Sequence, residues 1–375
     1  MSAAPAENTR PGTPSPMARV AEAATPVWSV DAEGRGIPVA DSTSIYFLTT
    51  HHEVVAADRA TGRIRWRRET GQPGETTYGS RLVIFGDLVI AGDYGILAFD
   101  RNSGALRWRF EPKRGYGAGI YLGPVANGAV LAGSASGHLY AIDAATGQQM
   151  WTATIGPDKT TVFRPEVNQG LVVAGFTTFA APNAGGLIAV DITSGHERWR
   201  VHFEPGDEEA AGAGWGGGPV FTGDHIVAAS TAGTVHAFSR TGGTLRWSLP
   251  AVQRPRLAQL SATADFRPVG VSGETLLVGS LSGRLVAYNL RTRQERWRYA
   301  SPVNGAIALS MEADDAFVYI PFVEGCLVAV SIEDGSEQWR SPSDGFHWPP
   351  LITTHHVYAL SSTRGLAAFR RPTVR

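Results

Sequence analysis

The sequence predicts an all-β protein: an eight-bladed β-propeller closed by an N-terminal strand that completes the C-terminal blade. Three observations carry this prediction. A phrase ending in tryptophan recurs seven times, and an eighth copy is split between the two ends of the chain. The residues between copies read as short apolar strands punctuated by polar and glycine turns.

The recurrent phrase closes at Trp66, Trp108, Trp151, Trp199, Trp247, Trp297 and Trp339. Eight residues before each stands a small polar residue: Asp58, Asp100, Asp143, Asp191, Ser239, Asn289 or Ser331. Four before each stands Gly62, Gly104, Gly147, Gly195, Gly243 or Gly335, with Arg293 in the remaining place. A side-chain oxygen at the first position accepts bonds from backbone amides two and three residues on, which starts a turn. Glycine then supplies the positive φ that a short hairpin loop needs. Tryptophan lands on the next strand, where its ring covers the neighbouring unit. Burying ~200 Å² of ring contributes about 5 kcal/mol as an upper bound.

The eighth copy has its inner strands at residues 357 to 369, while its tryptophan is Trp28, inside Thr-Pro-Val-Trp-Ser-Val. With Trp28 included, the spacings run from 38 to 50 residues, enough for four short strands each. A strand and its missing partner at opposite termini fit a closed ring, which removes free sheet edges. An open solenoid would instead need capped ends.

Composition agrees. The chain has 375 residues, 43% hydrophobic and 18% charged, with 44 Gly and 23 Pro, as suits a folded protein with many turns. A net charge of −1 gives no field for nucleic acid or an anionic membrane. The one cysteine, Cys326, lies in an apolar strand pattern and reads as a buried small hydrophobe. No apolar run reaches the ~20 residues of a membrane span. Residues 1–25 are expected to be a disordered Ala/Pro/Thr-rich tail, and residues 26–375 the propeller. Without a basic start or an apolar block in Met1–Pro26, the expectation is a cytoplasmic monomer.

The phrase, clearest from Ala141 to Trp151 and from Ala189 to Trp199, resembles the tryptophan-docking repeat of pyrroloquinoline-quinone (PQQ) dehydrogenases and their non-enzymatic relatives. The resemblance covers roughly residues 26 to 375 and implies a quinoprotein-type propeller. In size the chain is similar to the outer-membrane assembly propeller lipoproteins, but it has neither a lipoprotein signal nor a lipidation cysteine. The dehydrogenases stack the quinone on two adjacent cysteines and hold Ca²⁺ with a Glu/Asn/Asp set. A single cysteine and no matching acidic set lead us to expect neither PQQ nor calcium.

Each repeat parses as four strands, A to D from the axis outward. The A–B and C–D turns share one end and are short, as at Asn127-Gly128, Thr222-Gly223-Asp224 and Ser272-Gly273-Glu274. The long segments Glu111 to Leu122, Phe176 to Gly186, Glu204 to Gly218 and Ala251 to Phe266 belong to the other end, where binding is expected. At the mouth of the inner strands the aligned residues are Ile37, Arg81, Gly123, Arg164, Gly218, Arg267, Ala308 and Trp348. Arg81, Arg164 and Arg267 converging on one axis call for an anion, or for carboxylates such as Glu166 and Asp265. With Tyr78, Tyr116, Tyr121, Trp215 and Trp348 nearby, they read either as a pocket for an anionic, partly aromatic ligand or as a plug of ion pairs.

The pairs His51-His52 and His355-His356 fall at opposite ends and cannot share a metal, so no metal site is predicted. No phosphate loop or nucleophile elbow occurs. The expected function is a non-redox binding or scaffold propeller for a protein partner or an anionic small molecule. The alternative is a cofactor-free isomerase, cyclase or lyase in which His347, Glu166 or Asp265 moves protons. A PQQ-dependent dehydrogenase ranks last.

Overall fold

A computed structural model describes residues 22–71, 81–113, 119–178, 184–203, 218–229, 234–249, 269–279, 284–300, 311–322 and 325–373. Among these residues there are strands and no helix, hence no helix long and apolar enough to cross a membrane. The strands form antiparallel meanders that follow one another along the chain. One is Ile120–Ala126, Ala129–Ser134, His138–Asp143 and Gln149–Thr154 in that spatial order. The 34–69 and 81–110 meanders merge into one eight-stranded sheet through a single parallel pairing, Ile37 with Arg81.

The middle strands are apolar on both faces because both faces are covered. Ser44–Thr49 and Leu88–Gly92 run almost wholly buried, whereas the outer Gln149–Thr154 exposes most positions and buries Trp151. Apolar clusters fill the gaps between consecutive meanders. One joins the 34–69 and 81–110 meanders and the next joins 81–110 to 120–154. Others join the 312–340 sheet to 351–370, and 351–370 to the 34–69 meander.

All eight repeat tryptophans pair across their sheets with an alanine. The pairs are Ala56–Trp66, Ala98–Trp108, Ala141–Trp151, Ala189–Trp199, Ala237–Trp247, Ala287–Trp297, Ala329–Trp339 and Ala368–Trp28. In the seven unsplit copies the register shifts by one residue beside this pair, a bulge that re-aims the ring. The rings then lie over the glycine of the following repeat: Trp28 over Gly62, Trp66 over Gly104, Trp108 over Gly147, and so on to Trp297 over Gly335. A Cβ at those six glycines would sit 2.6–2.7 Å from a ring atom, and each has φ between +67° and +76°. Space and backbone conformation both demand glycine there. Indole N–H groups complete the contact, as Trp66 Nε1 donating to Arg101 O (3.0 Å) and Trp151 Nε1 to Ile192 O (2.8 Å).

The polar residue that opens each turn behaves as its chemistry requires. Asp58 Oδ1 accepts from the Ala60 and Thr61 amides, and Asp58 Oδ2 takes Arg65 Nη2 at 2.6 Å. That guanidinium, with the Thr61 hydroxyl, lowers the Asp58 carboxyl to about 2.

Two boundaries move. Chain pairing begins before residue 26: Glu22–Ala23 add a parallel strand to Glu337–Arg340, so the segment expected as tail contributes to a sheet from residue 22. Two of the long segments shorten because strands run into them, with Ile120–Ala126 taking Ile120 to Leu122. Leu171–Thr178 and Ala184–Asp191 pair along eight residues and take both ends of the other.

Candidate functional site

Meander topology places the repeat turns and the A–B turns at one end of every sheet. Asn127-Gly128 and Gln169-Gly170 are two-residue turns with both φ values positive, the hairpin geometry that matches strand twist. The opposite end carries the 50–52 and 93–95 turns and the connections between sheets. Of the residues expected at this mouth, Tyr78, Tyr116, Trp215, Asp265, Arg267 and Ala308 lie outside the described residues, as do the segments 204–217 and 251–268.

Arg81 opens the innermost strand Arg81–Phe85 and faces Ile37 in register, the two positions that the sequence aligns. Arg164 is 5% exposed and precedes the innermost strand Glu166–Asn168. Its Nε and Nη2 both donate to Glu166 Oε1, at 3.0 and 2.7 Å. Gly123, the small residue between these arginines in the alignment, is small because a Cβ there would meet the Pro165 ring at 2.6 Å. Sequence reasoning missed a fourth charged member, Glu312. It opens the short strand Glu312–Ala313 of the 312–340 sheet. Burial pushes its carboxyl upward, while the Arg164 and Arg81 charges pull the other way. Arginines from the 81–110 meander and the 160–203 sheet therefore share one electrostatic field with a carboxylate from the 312–340 sheet. A usable signal existed: Glu312 pairs with Tyr319 as Val39 pairs with Tyr46, each two residues before a turn aspartate, Asp314 or Asp41.

The aromatic residues divide. Tyr121 is 5% exposed and packs on Phe163 with ring centroids 5.8 Å apart, so its ring is filler between sheets. Trp348 is half-buried against the apolar cluster of the 351–370 sheet and the 34–69 meander. His347 is also half-buried.

A second polar group at this end joins the 34–69 and 81–110 meanders. Arg35 Nη2 donates to Asp93 Oδ1 (3.0 Å) and Arg35 Nε to Thr49 O (3.0 Å). The Thr70 hydroxyl donates to Asp93 Oδ2. His52 Nδ1 lies 3.0 Å from both Asp93 Oδ2 and Arg35 Nη2, and its ring rests on Tyr94. The Asp93 side chain is fully buried, and His52 holds φ at +60°, in the left-handed region that few non-glycine residues adopt. Neither Arg35 nor Asp93 stands in a motif, and only the fold brings them together.

Cys326 is buried, and Arg340 Nη1 donates to its sulfur at 3.3 Å. With no second cysteine in the chain, the residues do not fit the adjacent pair on which a quinone would stack. Among the described residues no group of three or more His, Cys, Asp or Glu could hold a metal ion.

This architecture defines a β-propeller built from PQQ-like repeats. The chain belongs to the PQQ_2 family, described as outer membrane protein assembly factor BamB, whose model matches residues 18–100 and 92–321. It is 31% identical over 81 residues to the outer membrane protein assembly factor BamB of Burkholderia pseudomallei (strain K96243). That match takes in 20% of this chain and 21% of the relative, so the chain matches about a fifth of that protein's length. Among solved structures it is similar to BamB from Moraxella catarrhalis, with a TM-score of 0.69 and 16% identity over 93% of this chain and 100% of that one. It is also similar to quinohemoprotein alcohol dehydrogenase ADHIIG from Pseudomonas putida HK5, with a TM-score of 0.71 and 13% identity over 94% of this chain and 77% of that one.

Proposed function

We propose that the chain is a non-redox binding propeller of eight blades, closed by the Trp28–Val30 strand, that holds a protein partner on the face opposite its repeat turns. Closure is supported by the pairing of Trp28 with Ala368 and by apolar clusters on both sides of the 351–370 sheet. The observation that carries the binding mode is the charge balance at the mouth. Arg164 is held by Glu166 at 2.7 Å, and Glu312 adds a second carboxyl on which the Arg164 and Arg81 charges act, so carboxylates already offset positive charge at the mouth. A small anion would have to displace them, whereas a partner spread over the rim would not. The family's description as an assembly factor supports a protein partner as well. The single, engaged cysteine supports a role without a bound quinone.

A photo-cross-linking residue placed at the exposed His51 or Lys159 should capture a defined protein in the native host. The same residue at Thr61 or Thr146, exposed on the repeat turns, should not. Equal capture from both ends would sink the proposal. The second reading, a small anion at Arg81 and Arg164, predicts instead that Arg164→Ala abolishes ligand binding while the protein still melts normally.

A further inference from the structure

Trp339 is the one repeat tryptophan whose following turn does not exist as a turn. The rings of six earlier copies lie over the glycine at position −4 of the next phrase, and the seventh copy, Trp247, has Arg293 at that position. After Trp339 the next phrase is the one ending at Trp28, and its position −4 is Ala24. This turn is split, one half arriving from Gly365–Arg370 and the other from the N-terminal segment. Ala24 nonetheless packs on the apolar cluster that contains Trp339 and Phe369. Trp339 is 8% exposed, as well covered as the tryptophans with an intact turn over them. Backbone pairing fixes the segment: Glu22 is opposite Trp339 and Ala23 opposite Arg340 in parallel register, and the Ala24 amide donates to Arg340 O at 2.9 Å. Downstream, the Val27 amide donates to Ala368 O at 2.7 Å, so residues 22 to 28 bridge two sheets. Arg340 is held by Glu337, with Nε to Oε1 at 2.8 Å and Nη2 to Oε2 at 2.7 Å, which gives the strap a fixed edge.

We infer that Glu22–Ala24 form a seam strap: Ala24 replaces the missing glycine over Trp339, and the added strand covers the outer edge of the 312–340 sheet. Its release uncovers Trp339 and frees a strand edge, so opening begins at this seam ahead of the other junctions.

Hydrogen exchange on the full chain tests this by comparing the segment 327–341 with the matched segment 285–299 of the neighbouring sheet. Ala24→Asp, which puts a charge under the indole, should speed exchange in 327–341 about tenfold and leave 285–299 unchanged. Ala24→Pro, which removes the amide donor and fixes φ without adding charge, should give a smaller change confined to the same segment. Ala24→Gly restores the residue of the other phrases and should leave both segments at their original rates. Unchanged exchange in 327–341 with both Asp and Pro would overturn the strap. If Ala24→Asp yields no folded protein, Ala24→Pro read on the same two segments decides.

Discussion

At the residue scale, the repeat turn is a joint between a glycine without a side chain and a ring that needs the vacated space. Gly147→Ala places a Cβ 2.7 Å from the Trp108 ring at φ +75°, and should cost about 2–3 kcal/mol in urea unfolding. The reverse experiment exists in the sequence. Arg293 sits at the glycine position with φ +61°, and Trp247, the ring that should lie over it, is only half-buried. Arg293→Gly should therefore raise stability by about 1 kcal/mol, and a lower melting temperature would refute the account. The turn aspartates add a pH dependence. Asp58 falls to about 2, through Arg65 and Thr61. Asp100 is lowered through Arg107, and Asp191 through Thr193 and Arg198. Since the unfolded value is about 3.9, their stabilisation is complete above that pH and disappears as pH drops through the folded values. Asn289 makes the same amide contacts without a charge. Replacing the three aspartates by asparagine should lower the melting temperature at pH 7 and flatten its fall between pH 5 and 2. An unchanged slope would count against the assignment. The cap, the glycine and the ring were legible in the sequence because turn chemistry is local: nine residues contain all three.

At the scale of elements, legibility falls off with sequence separation. Arg81 and Arg164 stand at a repeated position of the sequence, Arg81 opening its inner strand and Arg164 lying two residues before its own. Glu312 was not legible, because its strand is two residues long and the alignment had placed Ala308 at the mouth. Ala24 escaped because the glycine that marks its position elsewhere is absent. The Arg35–Asp93 pair joins residues 58 apart, one on a strand of one meander and one in a turn of the next, and no spacing rule connects them. Its energetic role is nevertheless definite. Asp93 is fully buried and accepts from Arg35 and Thr70, with His52 at 3.0 Å. Removing one partner of such a group leaves buried charge uncompensated, so Asp93→Ala should destabilise by about 3–5 kcal/mol. Arg67→Ala, which breaks an exposed pair with Glu53 at 3.5 Å, should change stability by less than about 1 kcal/mol. Similar losses in the two variants would mean that this node does not tie the two meanders together.

For the whole molecule, the decisive property is whether the sheets form a closed ring or an open stack. The two differ in what the chain ends do. In a closed ring the junction between the 351–370 sheet and the 34–69 meander is equivalent to every other junction, and the termini could be moved to another repeat. In an open stack the terminal sheets are caps, and linking them is geometrically impossible without distortion. A circular permutant separates these cases. Residues 22 and 373 would be joined by a flexible linker of about six residues, and new ends opened between Ala145 and Thr146 in a repeat turn. The cut removes the amide contacts of Asp143 at one turn, at 3.1 and 2.8 Å, and the linker restores an unbroken turn over Trp339. One lost cap costs about 1 kcal/mol, so the closed ring predicts a single cooperative transition within a few degrees of the parent. Aggregation, or two transitions, would mean that the ends do not meet, and the proposed binding face would then be an arc and not a rim around an axis.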